Sequence, residues 1–288
     1  EGEQQRVEIL KMLYRGAKIL IMDEPTAVLT PQEIEELFVT LRAMVAGGHS
    51  IVFISHKLHE VLAIANRVTV LRAGKVTAAA VSTEGVTKAQ LATLMVGREV
   101  VFSVKKNPAK AGDVVLSVEN ACAENDRGVP ALRQFGIQVR AGEIVGIAGV
   151  AGNGQSELAQ VITGLRKCSS GKVVINGEDI VNQDPRAAIK RKVAHVPEDR
   201  HHVGSSPGLS LADNLIMKSY REAPVSRGWV LNRPVIREQA ETLKKEYDIA
   251  APNIDVQVRL LSGGNLQKAI LAREMTAGPK LIVAVQPT

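Results

Sequence analysis

Short continuous apolar runs and longer stretches of helical spacing alternate along the chain, and each predicts an element. Ile19 to Met22, Ile51 to Ile54 and Leu281 to Val285 read as strands buried on both faces. Between the first two, Pro31 to Ala46 has helical spacing, with a proline at its start and Gly47-Gly48 after its end. A second helix is predicted after Ser55-His56 and through Asn66, and Val68 to Leu71 with Lys75 to Thr77 flank Ala73-Gly74 as a hairpin. Gln5 to Leu13 also has helical spacing, and Val81 to Gly97 reads as a short helical element. A new series starts near Asp113: strands at Val114 to Val118, Gly136 to Arg140 and Glu143 to Ile147, a glycine-rich loop, then a helix from Gln155 to Gly164. From about 205 to 262 strand signals thin out and helical patterns at Ser210 to Ser219 and Arg237 to Tyr247 dominate, as in a helical insertion. Buried strands alternating with helices imply an α/β fold with a mostly parallel sheet.

The two ends of the chain repeat one another. Placing Gly2 on Gly264 aligns Gln5 with Gln267, Gly16 with Gly278, Lys18 with Lys280, Ile19-Leu20-Ile21 with Leu281-Ile282-Val283, and Pro25-Thr26 with Pro287-Thr288, all at one constant offset. A tandem repeat of whole domains accounts for this. The expected organisation is the C-terminal part of a first domain over 1–75, a linker over 76–112 and a second domain over 113–288. Both domains are expected to be truncated, because the chain opens within a helical run and closes after a strand that needs neighbours on both sides. The basic, proline-broken Lys105-Lys106-Asn107-Pro108-Ala109-Lys110 marks the joint.

Composition narrows the class. With 288 residues and 45% of them hydrophobic, the chain builds real cores and is neither disordered nor collagen-like. No stretch approaches the apolar length of a membrane span. Two cysteines, Cys122 and Cys168, make no disulfide scaffold. A net charge of +6 suits an anionic partner without choosing among nucleotide, nucleic acid and lipid.

Three motifs carry chemistry. Asp23-Glu24 closes an apolar strand, where parallel sheets present their ligand-binding edge; an aspartate there can hold Mg²⁺ and a glutamate can deprotonate a water attacking a γ-phosphate. His56, also at a strand end, suits a γ-phosphate sensor. Gly149-Val150-Ala151-Gly152-Asn153-Gly154-Gln155-Ser156 lies between a strand and a helix with phosphate-loop spacing, so that backbone N–H groups converge on phosphate oxygens. Gln155 stands where such loops carry lysine, and Ser156 keeps a hydroxyl for Mg²⁺. Ser262-Gly263-Gly264, opening a helix, offers a hydroxyl, bare backbone and the helix dipole to a phosphate.

In this order and spacing the motifs resemble the ATP-binding domains of ABC transporters, over nearly the whole chain. Leu261 to Lys268 is similar to the signature motif, Gly149 to Ser156 to Walker A, Ile19 to Glu24 to Walker B with its catalytic glutamate, Thr26 to Thr30 to the D-loop, and Ser55-His56 to the switch histidine. The loops Gly152 to Leu158 and His195 to Arg200 resemble the two-domain ATPase subunit of importers for simple sugars and nucleosides, with the nucleoside branch favoured by loop wording. The resemblance implies a P-loop ATPase fold, ATP and Mg²⁺ as cofactors, and a peripheral position on the cytoplasmic face of the cell membrane. It also implies integral-membrane permease partners, indirectly a solute-binding protein, and a second ATPase copy or further domain parts.

In the head-to-tail arrangement of that family each ATP is shared between domains. One site would combine Asp23, Glu24 and His56 with Ser262, Gly263 and Gly264; the other would combine Gly149, Gly152, Asn153, Gly154, Gln155 and Ser156 with a signature ending at Gly2. In the second site Gln155 replaces the lysine, Val285 the metal-binding aspartate and Gln286 the catalytic glutamate. One hydrolytic and one degenerate site are therefore expected, and negligible ATPase activity from the 288 residues alone. The competing reading is a soluble two-domain ATPase acting on ribosomes. The basic clusters Lys190-Arg191-Lys192 and Arg200-His201-His202 lack interleaved aromatics for stacking on bases, so nucleic acid is not expected as a partner.

Overall fold

The computed structural model describes residues 7–8, 11–12, 14, 16–26, 29–72, 74–97, 110–150 and 152–287. Two compact units result, Glu1–Asn107 and Pro108–Thr288. Much of the run from Gln5 to Leu13, together with Gly2 and Thr288, lies outside the described residues.

In the first unit β1 (Ile19–Asp23) and β2 (Ser50–Ile54) pair in parallel, with Asp23 opposite Ile54. Helix α1 (Pro31–Ala46) starts in a reciprocal capping box, the Thr30 hydroxyl accepting from the Glu33 N–H and the Glu33 carboxylate accepting from the Thr30 N–H. Its Leu37, Phe38, Leu41 and Met44 close over Leu20 and Met22 of β1. Phe38 meets Phe53 of β2 edge-on, ring centroids 6.0 Å apart. Burial in β1 alternates: Leu20 and Met22 are covered while Ile19 and Ile21 are exposed. Helix α2 (Leu58–Ile64), the hairpin β3 (Arg67–Arg72) with β4 (Lys75–Ser82), and α3 (Lys88–Val96) complete the unit. Leu91 of α3 packs with Val61 and Val70, so the first part of the expected linker over 76–112 is folded onto the hairpin.

In the second unit β5 (Val114–Glu124) lies between β6 (Pro130–Arg140) and β7 (Ser170–Ile175), with β8 (Glu178–Asp179) outside β7. All three pairings are antiparallel. Helix α4 (Gln155–Ile162) seals one face through Leu158, Val161 and Ile162. After α5 (Pro185–Lys190), β9 (Val193–Val196) pairs in parallel with β12 (Leu281–Ala284). A second core is helical: α6 (Leu211–Leu215), α7 (Arg233–Glu246) and α8 (Gly263–Thr276) gather Leu211, Leu215, Ile236, Ile254, Leu266 and Ile270. This is the expected helical insertion, with the small ladder of β10 (Ser226–Arg227) and β11 (Val230–Leu231) added.

Two expectations need correction. The described residues form two parallel pairs and three antiparallel sheets, rather than one mostly parallel sheet. Glu143 to Ile147 forms no strand: Ile144 is 99% exposed, and no described strand pairs with the run. An apolar run becomes a strand only where a neighbour takes up its N–H and C=O groups, and that is a non-local condition.

Candidate nucleotide site

β1 and β2 run in parallel and end together, so the residues that follow them share one edge. The Glu24 N–H donates to the Ile54 carbonyl at 2.9 Å, one step beyond the last ladder pair. Glu24 then takes a left-handed backbone (φ 45°), uncommon for a side-chain-bearing residue. That turn brings its Oε1 to 2.7 Å from Nδ1 of His56, both groups open to solvent. Asp23 sits exposed beside them at the end of β1. The strand-end pair expected from sequence is thus assembled within one unit.

Beneath it lies a buried cluster that the sequence reading missed. Glu60 of α2 is 1% exposed. Its Oε2 accepts from the Thr26 hydroxyl at 2.6 Å and from the Ser55 hydroxyl at 3.2 Å; its Oε1 faces the Lys57 ammonium at 3.2 Å. Lys57 also donates to the Thr26 carbonyl at 3.0 Å. The one sequence signal was an acidic residue beside Val61 on the buried side of a short helix.

The second unit repeats the strand-end backbone with different chemistry. Gln286 has φ 46°, matching Glu24 at the aligned position, and Val285 donates to the Val196 carbonyl at 2.9 Å. The Gln286 amide donates to Oε1 of Glu198 at 2.8 Å, so its partner is a carboxylate from the neighbouring strand end. Val285 offers no oxygen for a metal. In the glycine-rich loop, Gly154 caps α4 at φ 99°, and a Cβ there would lie 2.5 Å from the Ala131 carbonyl oxygen; only glycine fits. The Gln155 amide turns back to the Val150 carbonyl at 3.4 Å, and Asn153 donates to the same oxygen at 3.0 Å. Ser156 is exposed on the first turn of α4, which packs against β12.

Ser262 caps α8 and accepts from the Asn265 backbone at 3.4 Å and side-chain amide at 2.9 Å. Gly264 has open space where a Cβ would stand, and a Cβ on Gly263 would lie 3.4 Å from Arg200 Nη1. The loop of Arg200 is held by Asp199, whose carboxylate accepts from the N–H groups of His201 and His202 and faces His202 Nδ1 at 2.9 Å. The backbone N–H of His202 leads the contacts that keep the Asp199 carboxyl below its usual value. Gly2, expected to end the partner signature, lies outside the described residues.

The family model described as ABC transporter matches residues 132–288. The chain belongs to the ABC transporter family. It is 50% identical over 289 residues to a glucose import ATP-binding protein of Haloferax volcanii, covering 100% of this chain and 52% of that protein. It is 46% identical to a nucleoside import ATP-binding protein of Lactococcus lactis and 46% identical to a guanosine import ATP-binding protein of Bacillus subtilis, covering 100% of this chain and 56% of each. The chain spans about half the length of the curated relatives it matches. A nucleotide-free ATP-binding cassette from an ABC transporter superposes with TM-score 0.50 at 24% identity, over 61% of this chain and 70% of that one. A bacterial ABC transporter cassette solved as a dimer gives TM-score 0.50 at 24% identity, over 60% and 74%. These likenesses establish the P-loop cassette fold.

The same ABC cassette carries a buried charge cluster away from the loops. Glu274 of α8, 1% exposed, accepts from the His195 N–H at 2.9 Å and from Arg273 Nε at 3.0 Å, and pairs with Lys218. It borders a cavity of about 760 Å³ lined also by Lys192, Leu215, Glu238 and Leu243. Burial, then the Lys218 ammonium, hold the His195 imidazole below the ordinary histidine value, with Glu274 opposing and Arg273 adding to the depression. The folded unit therefore prefers neutral His195, while the unfolded chain takes up a proton near pH 6.5. This contribution is complete above about pH 6.5 and is lost as pH falls from there towards the folded value. The thermal midpoint of the parent chain is expected to drop more between pH 7 and pH 5 than that of His195→Gln; equal drops would contradict it.

Proposed function

We propose that this chain is part of an ATP-binding subunit that hydrolyses ATP to energise import of a nucleoside or simple sugar across the cytoplasmic membrane. The observation that carries the reading is the Glu24–His56 pair at the shared edge of two parallel strands. The names of the relatives support import, and a ribosome-acting ATPase has no comparable support.

The oxygen donors present suit Mg²⁺, a hard cation held by one or two carboxylates together with substrate phosphates. Asp23 supplies an exposed carboxylate at a strand end, and Ser156 a hydroxyl at a helix start. Among the described residues no group of three His, Cys, Asp or Glu forms an all-protein cage, in keeping with a metal that arrives with the nucleotide. Bound Mg·ATP supplies a γ-phosphate whose charge is partly neutralised. Asp23 would hold the metal, Glu24 would accept the proton of the attacking water, and His56, bonded to Glu24, would orient that carboxylate and meet the γ-phosphate. Ser262, Gly263 and Gly264 would supply the hydroxyl and N–H groups that the other domain contributes. At the second site Gly149, Gly152, Asn153, Gly154, Gln155 and Ser156 would hold nucleotide phosphates, completed by Gly2. With Val285 and Gln286 in place of carboxylates, that site would bind without hydrolysing.

In this reading the first domain's part, expected over 1–75, extends through β4 and α3. The expected linker over 76–112 thus shortens to a joint after α3 that leads to a second domain over 113–288, and the subunit sits on the inner membrane surface. Its partners are permease subunits, indirectly a solute-binding protein, and a second ATPase copy or further domain parts; nucleic acid is not among them. No helix among the described residues is long and apolar enough to cross a membrane. The test is reconstitution of the full-length protein with its membrane subunits in proteoliposomes. ATP-dependent accumulation of a nucleoside or simple sugar is expected; no uptake of either, with phosphate release stimulated by ribosomes instead, would overturn the proposal.

A further inference from the structure

We propose that Glu60 is a positioning residue for hydrolysis, acting through the loops that carry Glu24 and His56. The inference rests on reading that pair as hydrolytic. Neither Glu24 nor His56 is held by packing of its own side chain, since both face solvent. Their geometry is fixed one layer below. Thr26 follows Glu24 by two residues, Ser55 precedes His56, and both hydroxyls donate to the same oxygen of Glu60, at 2.6 and 3.2 Å.

Lys57 closes the cluster from the other side. Its ammonium faces Glu60 Oε1 at 3.2 Å and donates to the Thr26 carbonyl at 3.0 Å, so the residue after His56 grips the loop after Glu24. The Lys57 N–H also donates to the Ser55 hydroxyl at 3.1 Å. A buried carboxylate carrying two hydroxyl bonds and one ion pair is costly to leave unsatisfied, so its partners are held to it. The two loops at the strand edge are thereby tied to one point, which supports the 2.7 Å contact between Glu24 and His56. The left-handed turn at Glu24 adds to the demand, because a backbone in that region persists only where its surroundings over-determine it.

The experiment is steady-state ATP hydrolysis by the full-length protein, with nucleotide affinity measured separately by a fluorescent ATP analogue. Glu60→Ala is expected to lower kcat on the order of 10- to 100-fold, the cost of a misplaced catalytic pair, with unchanged affinity for the analogue. Glu60→Gln should recover part of the loss, since its amide oxygen still accepts from Thr26 and Ser55. In a His56→Ala background, Glu60→Ala should have little further effect, because the pair it positions is already broken. A merely structural role would lower both backgrounds by the same factor. Should Glu60→Ala fail to fold, Thr26→Val and Ser55→Ala each remove one hydroxyl bond, and each should lower kcat with affinity retained. A parent-like kcat in these variants, or an equal factor in both backgrounds, overturns the role of Glu60. Glu24→Gln is run alongside: if it retains turnover, the hydrolytic reading falls and Glu60 with it, whereas an inactive Glu24→Gln leaves the other outcomes to judge Glu60 alone.

Discussion

Glu24→Gln in the full-length protein is expected to lower ATP turnover by about 10²- to 10⁴-fold, the range for loss of a general base, while Gln286→Ala leaves turnover near the parent rate. The two residues occupy aligned positions and share a positive φ, 45° and 46°. What differs is the chemistry presented. Glu24 offers a carboxylate oxygen to His56 at 2.7 Å and can take a proton. Gln286 spends its amide N–H on Glu198 at 2.8 Å and cannot. Its neighbour Val285 lacks the oxygen that Asp23 provides in the first unit. The substitution Glu24→Gln keeps size and hydrogen bonding, so nucleotide affinity should be preserved; binding measured in the same preparations checks this. Comparable turnover losses from both variants would remove the asymmetry between the sites.

Glu274→Ala should destabilise the second unit by about 3–5 kcal/mol, the cost of breaking a buried ion pair from one side. Glu274 joins two cations, bonded to Arg273 at 3.0 Å and paired with Lys218, and it also satisfies the His195 N–H at 2.9 Å. Removing it strands both cations and orphans the His195 backbone donor within β9, at the residue paired with Val283 of β12. The desolvation that already lowers the Lys218 ammonium would then act with no carboxylate opposing it. Hydrogen exchange suits a chain with two compact units, since it assigns the loss to a region. Amides of α8 and β9 should exchange faster in Glu274→Ala, and those of β1 and β2 should not change. Parent-like protection in α8 would show that the cluster contributes little.

Local pattern carried much of the fold. The helix from Pro31 to Ala46 was legible to the residue, because its N-terminal proline and following glycines are sequence signals; the capping box at its start was added by the structure. The strands at 19–23 and 281–284 were legible from apolar runs, and the glycine-rich loop from its spacing. The run from Glu143 to Ile147 failed because strand formation depends on a neighbour that pattern does not reveal. The antiparallel four-stranded sheet escaped for the same reason: the apolar residues of β5, β6 and β7 do not say which neighbour each strand takes or in which direction it runs.

The candidate site divides along the same line. Residue identity alone determined that the chain repeats itself, that Asp23, Glu24 and His56 have the chemistry for phosphoryl transfer, and that Gln155, Val285 and Gln286 lack it. These follow from which groups can carry charge, bind a metal or accept a proton, and no folding is needed to know them. Tertiary structure alone decided that Glu24 meets His56, that Gln286 answers to Glu198, and that Glu60 ties the residues flanking the pair to one buried point. Each joins elements distant along the chain, and such contacts depend on strand pairing and burial, which spacing within a segment does not encode.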